Sequence, residues 1–165
     1  MTRAGAPERE LVRRTIHEVF AGPAWHGPSV LAALRGMTAA TAARRVERGR
    51  NTPWELVLHL AYTRHRLLGR LGVNAGRFPR KLRTAWWPIA PAEPTEAAWR
   101  GDLALLRTYQ ERLLQAVGQA SEAQLRRRRA GQRRTIADEL IGVAVHDAYH
   151  AGQIRLIALM KSRRR

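Results

Sequence analysis

The sequence predicts an all-α protein: an antiparallel four-helix bundle with a kinked first helix and a long loop between long helices 2 and 3. Four segments carry apolar residues at helical spacing, and no segment shows the sustained alternation of a strand. Several segments also begin with a residue that caps a helix. A length of 165 residues fits one domain with a real core. We therefore expect a single domain over residues 1–165, with flexible tails at 1–6 and 161–165.

The first long helix is predicted over residues 7–20. Its apolar face consists of Leu11, Val12, Ile16, Val19 and Phe20. Two Gly-Pro pairs follow and predict a kink or a break. Residues 29–34 continue as helix, residues 39–43 form a short helix, and residues 44–51 are a polar loop.

The second long helix has the clearest start in the chain. Thr52 is a predicted N-cap, Pro53 fits the first helical position, and Glu55 completes a capping box. The helix is expected to run to about Leu71, with His59 on or beside its core-facing side.

Residues 72–94 form the long loop, which contains the adjacent Trp86 and Trp87. A connection of this length is usually functional or disordered, and two neighbouring indoles favour a functional loop over a solvated one. The alternative is that the indoles only cover the end of the core.

The two remaining long helices follow this loop. Thr95 caps the third helix, which is predicted to reach Val117. A helical turn is expected over residues 121–125, before an arginine-rich segment. Thr135 and Asp138 resemble a capping box, and the fourth helix then runs from residue 136 to about residue 160.

Charge and composition limit the classes of function. The chain carries 30 Lys+Arg against 13 Asp+Glu, a net charge of +17, which favours anionic partners. Arginine clusters at residues 126–129 and 163–165 allow non-specific nucleic-acid binding, but no recognition motif accompanies them, and coding bias is an equal explanation. Without cysteine there are no disulfides or thiolate ligands. No segment is apolar enough to span a membrane or to act as a secretory signal, so a cytoplasmic protein is expected.

Three histidines predict a metal site. His146 and His150 lie four residues apart, so both face one side of the fourth helix, and the apolar residues around them predict that this side faces the core. His59 on the second helix can complete a set of three nitrogen ligands, which leaves open positions on a divalent ion. The alternative is a buried imidazole network hydrogen-bonded to Glu55, Tyr62 or Asp147.

Other residues are candidates for supporting roles. Trp25 and His26 lie in the Gly-Pro segment, where an irregular backbone can aim a side chain at the site as a proton carrier, outer ligand or substrate contact. A surface or capping role is an equal alternative for His26. Glu55 and Gln153 can orient the imidazoles of His59 and His150, and the alternatives are a helix cap for Glu55 and an amide at the edge of the core for Gln153. His17 and His65 are expected to be solvated, and no residue stands out as a catalytic base.

The segment Pro53-Trp-Glu-Leu-Val-Leu-His59-Leu, together with His146-Asp-Ala-Tyr-His150-Ala-Gly-Gln-Ile154, resembles the DinB-like superfamily. Residues 22–28 and Trp87-Pro88 also resemble one branch of it, and the resemblance spans residues 11–160. It implies a four-helix bundle, often a homodimer, with one divalent ion, commonly zinc or nickel, held by His59, His146 and His150.

The resemblance also implies chemistry. Some members are thiol-S-transferases that use bacillithiol, mycothiol or glutathione, and others are isomerases. The implied reaction is attack on an electrophilic small molecule by a thiol whose pKa the ion lowers, and arginines near the rim can hold the thiol's carboxylates. Metal-assisted hydrolysis is possible at the same site. The alternative function is a basic binding protein with a purely structural metal site.

Overall fold

The computed structural model describes residues 7–162, and side chains from residue 8 to residue 160. The tails predicted at residues 1–6 and 161–165 fall outside these residues, except that the backbone of 161 and 162 continues the last helix. The prediction of an all-α class is confirmed, since the described chain is mostly helical. The elements in chain order are α1 (Pro7–Ala21), α2 (Val30–Ala33), α3 (Ala39–Ala43), α4 (Pro53–Arg70), β1 (Leu82–Thr84), β2 (Trp87–Pro88), α5 (Glu96–Gln119), α6 (Glu122–Arg126) and α7 (Ile136–Ser162).

The predicted caps set the starts of the long helices. Thr52 and Glu55 form a complete capping box at the start of α4, and Thr95 caps α5. At α7 the backbone N–H of Thr135 donates to Asp138 at 2.8 Å, and that of Asp138 donates to the Thr135 hydroxyl at 3.1 Å. Each bond satisfies an N–H that the helix itself leaves free.

The first helix ends instead of bending. It stops at Ala21, and α2 begins at Val30 as a separate helix capped by Ser29. A Cβ on Gly22 would lie 2.8 Å from the Glu18 Cα, so this exit from the helix requires glycine. The predicted apolar face is wrong at Leu11, which is 51% exposed, because the core lies under Val12 and Ile16.

Contacts among the four long helices close a ring. The helix α4 packs on α5 and α7, and α1 packs on the same two helices from the other side. The buried apolar residues of all four helices form one continuous core. The site described below lies where α4 meets α7.

The long loop contains one departure from the prediction of a strand-free chain. Strands β1 and β2 pair as a short antiparallel hairpin, and the backbone N–H of Ile89 donates to the Lys81 carbonyl at 2.8 Å. Strand β2 contacts α4. Five residues of strand are too few for a periodic signal, but their pairing brings Trp86 and Trp87 to His59.

The side of α7 that faces the core is rotated slightly from the predicted side, which carries His146 and His150. Leu140, Asp147 and Ile154 are 0% exposed, whereas Met160, near the end of the helix on the predicted side, is 49% exposed. His146 is only partly buried. The histidine pair therefore lies at the edge of the core, where a site can be reached from outside. No helix among the described residues is long and apolar enough to cross a membrane.

Candidate metal centre

The three predicted ligands converge through their Nε2 atoms. His146 Nε2 lies 2.9 Å from His59 Nε2 and 3.0 Å from His150 Nε2. Two nitrogens that bind one zinc ion tetrahedrally at about 2.05 Å are about 3.3 Å apart, so a shift of a few tenths of an ångström would admit an ion. Among the described residues these histidines form the group able to hold a metal.

The loop after α4 fixes the orientation of His59. Its Nδ1 lies 2.7 Å from the backbone carbonyl of Trp86, and a carbonyl can only accept a hydrogen bond. The proton is therefore on Nδ1, and the lone pair of Nε2 points into the cluster. The Trp87 ring stacks on the imidazole at 4.1 Å between centroids, which holds the ring plane. The hairpin thus belongs to the site.

A side chain one turn along α7 does the same for His150. Its Nδ1 lies 2.7 Å from the amide oxygen of Gln153, which again leaves the lone pair on Nε2. The amide nitrogen of Gln153 donates to the Tyr149 hydroxyl at 3.1 Å, and this bond fixes the amide. The placement of Gln153 as an orienting residue agrees with the prediction. Such outer contacts keep a metal-binding histidine in the correct tautomer.

The environment keeps all three imidazoles neutral. Burial lowers the pKa of His59 and of His150, although their Trp86 and Gln153 partners oppose the shift. Burial and then the neighbouring His150 and His59 lower the pKa of His146 to about 3. Neutral imidazole is the form that binds a metal, so the site is ready for an ion at neutral pH.

The hydrogen bonds within the cluster also favour an ion. Two lone pairs, from His59 and His150, point at the single Nε2 of His146, whose one proton cannot satisfy both well. His146 Nδ1 is buried and has no partner among the described residues. A divalent ion between the three nitrogens would use the Nε2 lone pair of each histidine, with the proton of His146 moved to Nδ1, so the residues present fit a metal.

Two of the three predicted partners of the alternative imidazole network, Glu55 and Asp147, bind other residues instead. Glu55 accepts from the Thr52 N–H at 2.7 Å and from Arg45 and Arg83. Burial raises the pKa of Glu55, but these donors more than offset it and hold the pKa below its ordinary value. Asp147 pairs with Arg64. Glu55 therefore caps α4, as the predicted capping box requires, and does not take the other predicted role of orienting His59.

The structure places the other predicted residues away from the cluster. Trp25 is 100% exposed and His26 is also exposed, because the break after α1 carries both outward. His17 is exposed, as predicted. The expectation of a solvated His65 is wrong, because its side chain is partly buried. The centre of its ring lies within 5.8 Å of the ring centres of Tyr62, Phe78 and Tyr109.

Two cavities meet at the three histidines. One of about 440 Å³ is lined by His59, His146 and Trp86 and contains four arginines. The other, of about 530 Å³, is lined by His150, Trp87 and a set of apolar side chains. The histidines thus lie between a basic pocket, the first, and a second pocket of mixed apolar and polar lining.

The comparisons with known proteins agree with the geometry. The family model of the DinB superfamily matches residues 25–154, a span that includes all three histidines. No curated protein and no solved structure matches the chain. Because the match covers most of the sequence, the chain belongs to the DinB superfamily.

Proposed function

We propose that this protein is a metal-dependent enzyme of the thiol-S-transferase kind, in which His59, His146 and His150 hold one divalent ion, zinc or nickel. The observation that carries the proposal is the convergence of three neutral Nε2 atoms where two cavities meet. A purely structural site has no need of open space on both sides, whereas a reaction between two substrates does.

Each group around the site has a role in this proposal. The Trp86 carbonyl and the Gln153 amide hold His59 and His150 with their lone pairs inward. The Trp87 ring shields one face of His59 from water. An ion held by three protein ligands keeps open positions and lowers the pKa of a thiol or water that binds there. Hydrolysis would use the same residues, and only the presence of a thiol distinguishes the two reactions.

The alternative of a basic nucleic-acid-binding protein has weaker support. Three arginines of the run at 126–129 have partners within the chain. Arg126 pairs with Glu8 and Glu122, Arg127 donates to the Arg70 carbonyl, and Arg129 pairs with Glu139. Because these three arginines already have partners within the protein, fewer of their charges are free to bind a phosphate backbone.

We also propose that the helices form the antiparallel bundle and that two copies associate through α7. An exposed apolar stripe on this helix supports the second proposal. It comprises Val145, Tyr149, Leu156 and Met160, each about half exposed or more. Light scattering of the purified protein distinguishes one copy from two.

Metal analysis of the purified protein tests the site. We expect about one divalent ion per chain, and a loss of most of it in His59→Ala and His150→Ala, because each removes one of three ligands. His26→Ala is the matched control, since it removes an exposed imidazole. Equal metal content in all four proteins would refute the three-histidine site.

Turnover tests the reaction. The metal-loaded protein is assayed with an electrophile, such as a chloro-nitroaromatic compound, and a panel of low-molecular-weight thiols. We expect a thiol-dependent rate that disappears with His150→Ala. Thiol consumption no faster than with metal-free protein would exclude the transferase, and release of product without any thiol would indicate a hydrolase.

A further inference from the structure

The basic pocket has a charge arrangement that metal binding alone does not need. Its arginines come from two parts of the chain: Arg66 and Arg70 from α4, and Arg129 and Arg134 from the segment before α7. The pocket contains one carboxylate, Glu139. Four guanidinium groups around one carboxylate leave a large positive excess in a confined volume.

Two of the arginines are already paired with the one carboxylate. Glu139 binds Arg70 through one carboxylate oxygen and Arg129 through the other, the latter at 3.0 Å. The carboxylate is mostly buried, with 11% of its side chain exposed. These three residues therefore hold one another in place at the side of the pocket. The rest of the positive charge in the pocket lies on Arg66 and Arg134.

The other two arginines are free to bind an anion. Neither Arg66 nor Arg134 has a salt bridge or a side-chain hydrogen bond within the part of the chain that the structure describes. The Arg66 guanidinium lies 5.6 Å from the centre of the Trp86 ring, and the backbone carbonyl of the same tryptophan contacts His59, so both residues line this pocket. Hydrogen bonds with Thr135, and to a smaller extent the charges of Arg128 and Arg134, lower the pKa of Asp138. The Asp138 carboxylate is thus near Arg134 but accepts its hydrogen bond from Thr135.

The pocket across the histidines shows that this charge is specific to one side. Its apolar lining consists of Val46, Leu56, Trp87, Leu156, Ile157 and Met160. The charged residues there are Glu47 and Arg50, which pair with each other at 3.5 Å. A cavity of similar size on the His150 side of the cluster is therefore electrically balanced, so a general excess of arginine does not explain the basic pocket.

We propose that the basic pocket binds a small molecule with two or more carboxylate or phosphate groups, held by Arg66 and Arg134, with its reacting end at His59 and His146. A volume of about 440 Å³ suits a small molecule and not a nucleic acid. The position of the reacting end rests on the proposed function, whereas anion binding does not.

Calorimetric titration of the full-length protein tests the proposal. The probes are tricarballylate for carboxylates, inorganic phosphate for phosphates, and glycerol as a neutral molecule. The double variant Arg66→Gln/Arg134→Gln is compared with Arg100→Gln/Arg155→Gln, which removes the same charge from two exposed arginines outside both pockets. We expect the first to weaken tricarballylate binding about tenfold or more, and the second to change it about twofold or less.

Three results would overturn the proposal. The first is no binding of either anion to the unaltered protein at millimolar concentration. The second is an equal loss of affinity in both double variants, which would indicate net charge alone. The third is that a single-stranded oligonucleotide binds the protein, and loses affinity in the Arg66→Gln/Arg134→Gln variant, while tricarballylate does not bind. The titrations are repeated after chelator treatment and metal content is measured, so that failure of the metal site is seen separately from failure of the anion pocket.

Discussion

Two polar clusters lie side by side where α4 meets α7, and they differ in burial and in how far their hydrogen bonds are satisfied. One contains the three histidines. The other contains Arg64, Asp147 and Gln110. His59 and Arg64 belong to α4, while His146 and Asp147 are consecutive on α7, so one helix pair builds both clusters.

The arginine cluster is sealed and satisfied. Arg64 and Asp147 are each 0% exposed. The guanidinium donates to both oxygens of Asp147, to the Gln110 side chain at 2.7 Å and to the Leu60 carbonyl at 3.0 Å. Gln110 in turn donates to the Ile16 carbonyl at 3.3 Å. The network therefore links all four long helices, α1, α4, α5 and α7.

The histidine cluster is open and short of partners. It borders two cavities, and His146 has a buried Nδ1 that bonds to nothing within the described chain. Two lone pairs, from His59 and His150, face the one proton on His146 Nε2, and an ion between the three Nε2 atoms would use both. The closed network holds helices together, whereas the open cluster has lone pairs that an ion can bind.

Breaking the sealed cluster should have the largest effect. Arg64→Leu leaves Asp147 buried without a counter-charge, and we expect a loss of about 3–5 kcal/mol in the free energy of unfolding. The double variant Arg64→Leu/Asp147→Leu should recover part of this loss, because no charge stays buried. Urea unfolding of the metal-free proteins measures both.

Arg66→Leu is the matched control for this comparison, since it removes an exposed arginine from the same helix. Its free energy of unfolding should stay within about 0.5 kcal/mol of the unaltered protein. If Arg64→Leu is no less stable than Arg66→Leu, the network does not link the helices as described.

The pH dependence of stability should distinguish the open cluster. His146 has a pKa of about 3 when folded, against about 6.5 when unfolded. Between these values the unfolded chain binds a proton that the folded chain does not, so stability falls as the pH falls from 6.5 towards 3. Above pH 6.5 both states are neutral and the group contributes no dependence.

His146→Asn removes this group and isolates its contribution. In chelator-treated protein, we expect the unaltered chain to lose on the order of 2–3 kcal/mol more than the variant between pH 7 and pH 4. Carboxylates that titrate in the same range cancel in the difference. Parallel curves for the two proteins would show that His146 is not buried as a neutral base.

The features that local residue chemistry controls were predictable from the sequence. Thr52, Thr95 and Thr135 start their helices as expected, because a cap acts within a few residues. The three histidines were found because spacing on a helix and a shared face are also local properties. Helix α7 shows the limit, since its pattern of apolar residues placed the core one position away from its true centre.

Features that depend on distant partners were not predictable. Arg64 looks like any other arginine in a basic chain, and only Asp147, 83 residues away, makes it a core residue. The Trp86 group that orients His59 is a backbone carbonyl, which has no sequence signal. The prediction that Trp25 and His26 reach the site was wrong for another reason. A Gly-Pro break predicts an irregular backbone but not the direction in which its side chains point.

The contact between Gln153 and His150 should give the smallest effect, and it tests whether the open cluster is built for a ligand. Gln153→Leu removes the acceptor for His150 Nδ1, so the imidazole can rotate or change tautomer and the lone pair on Nε2 is no longer fixed. We expect metal affinity to fall about 10- to 100-fold, measured by competition with a chelator, with little change in unfolding of the metal-free protein. Tyr149→Phe is the control, because it removes only the 3.1 Å bond that holds the amide and leaves the acceptor in place. Its affinity should fall less, and equal affinities in all three proteins would mean that Gln153 does not orient a ligand.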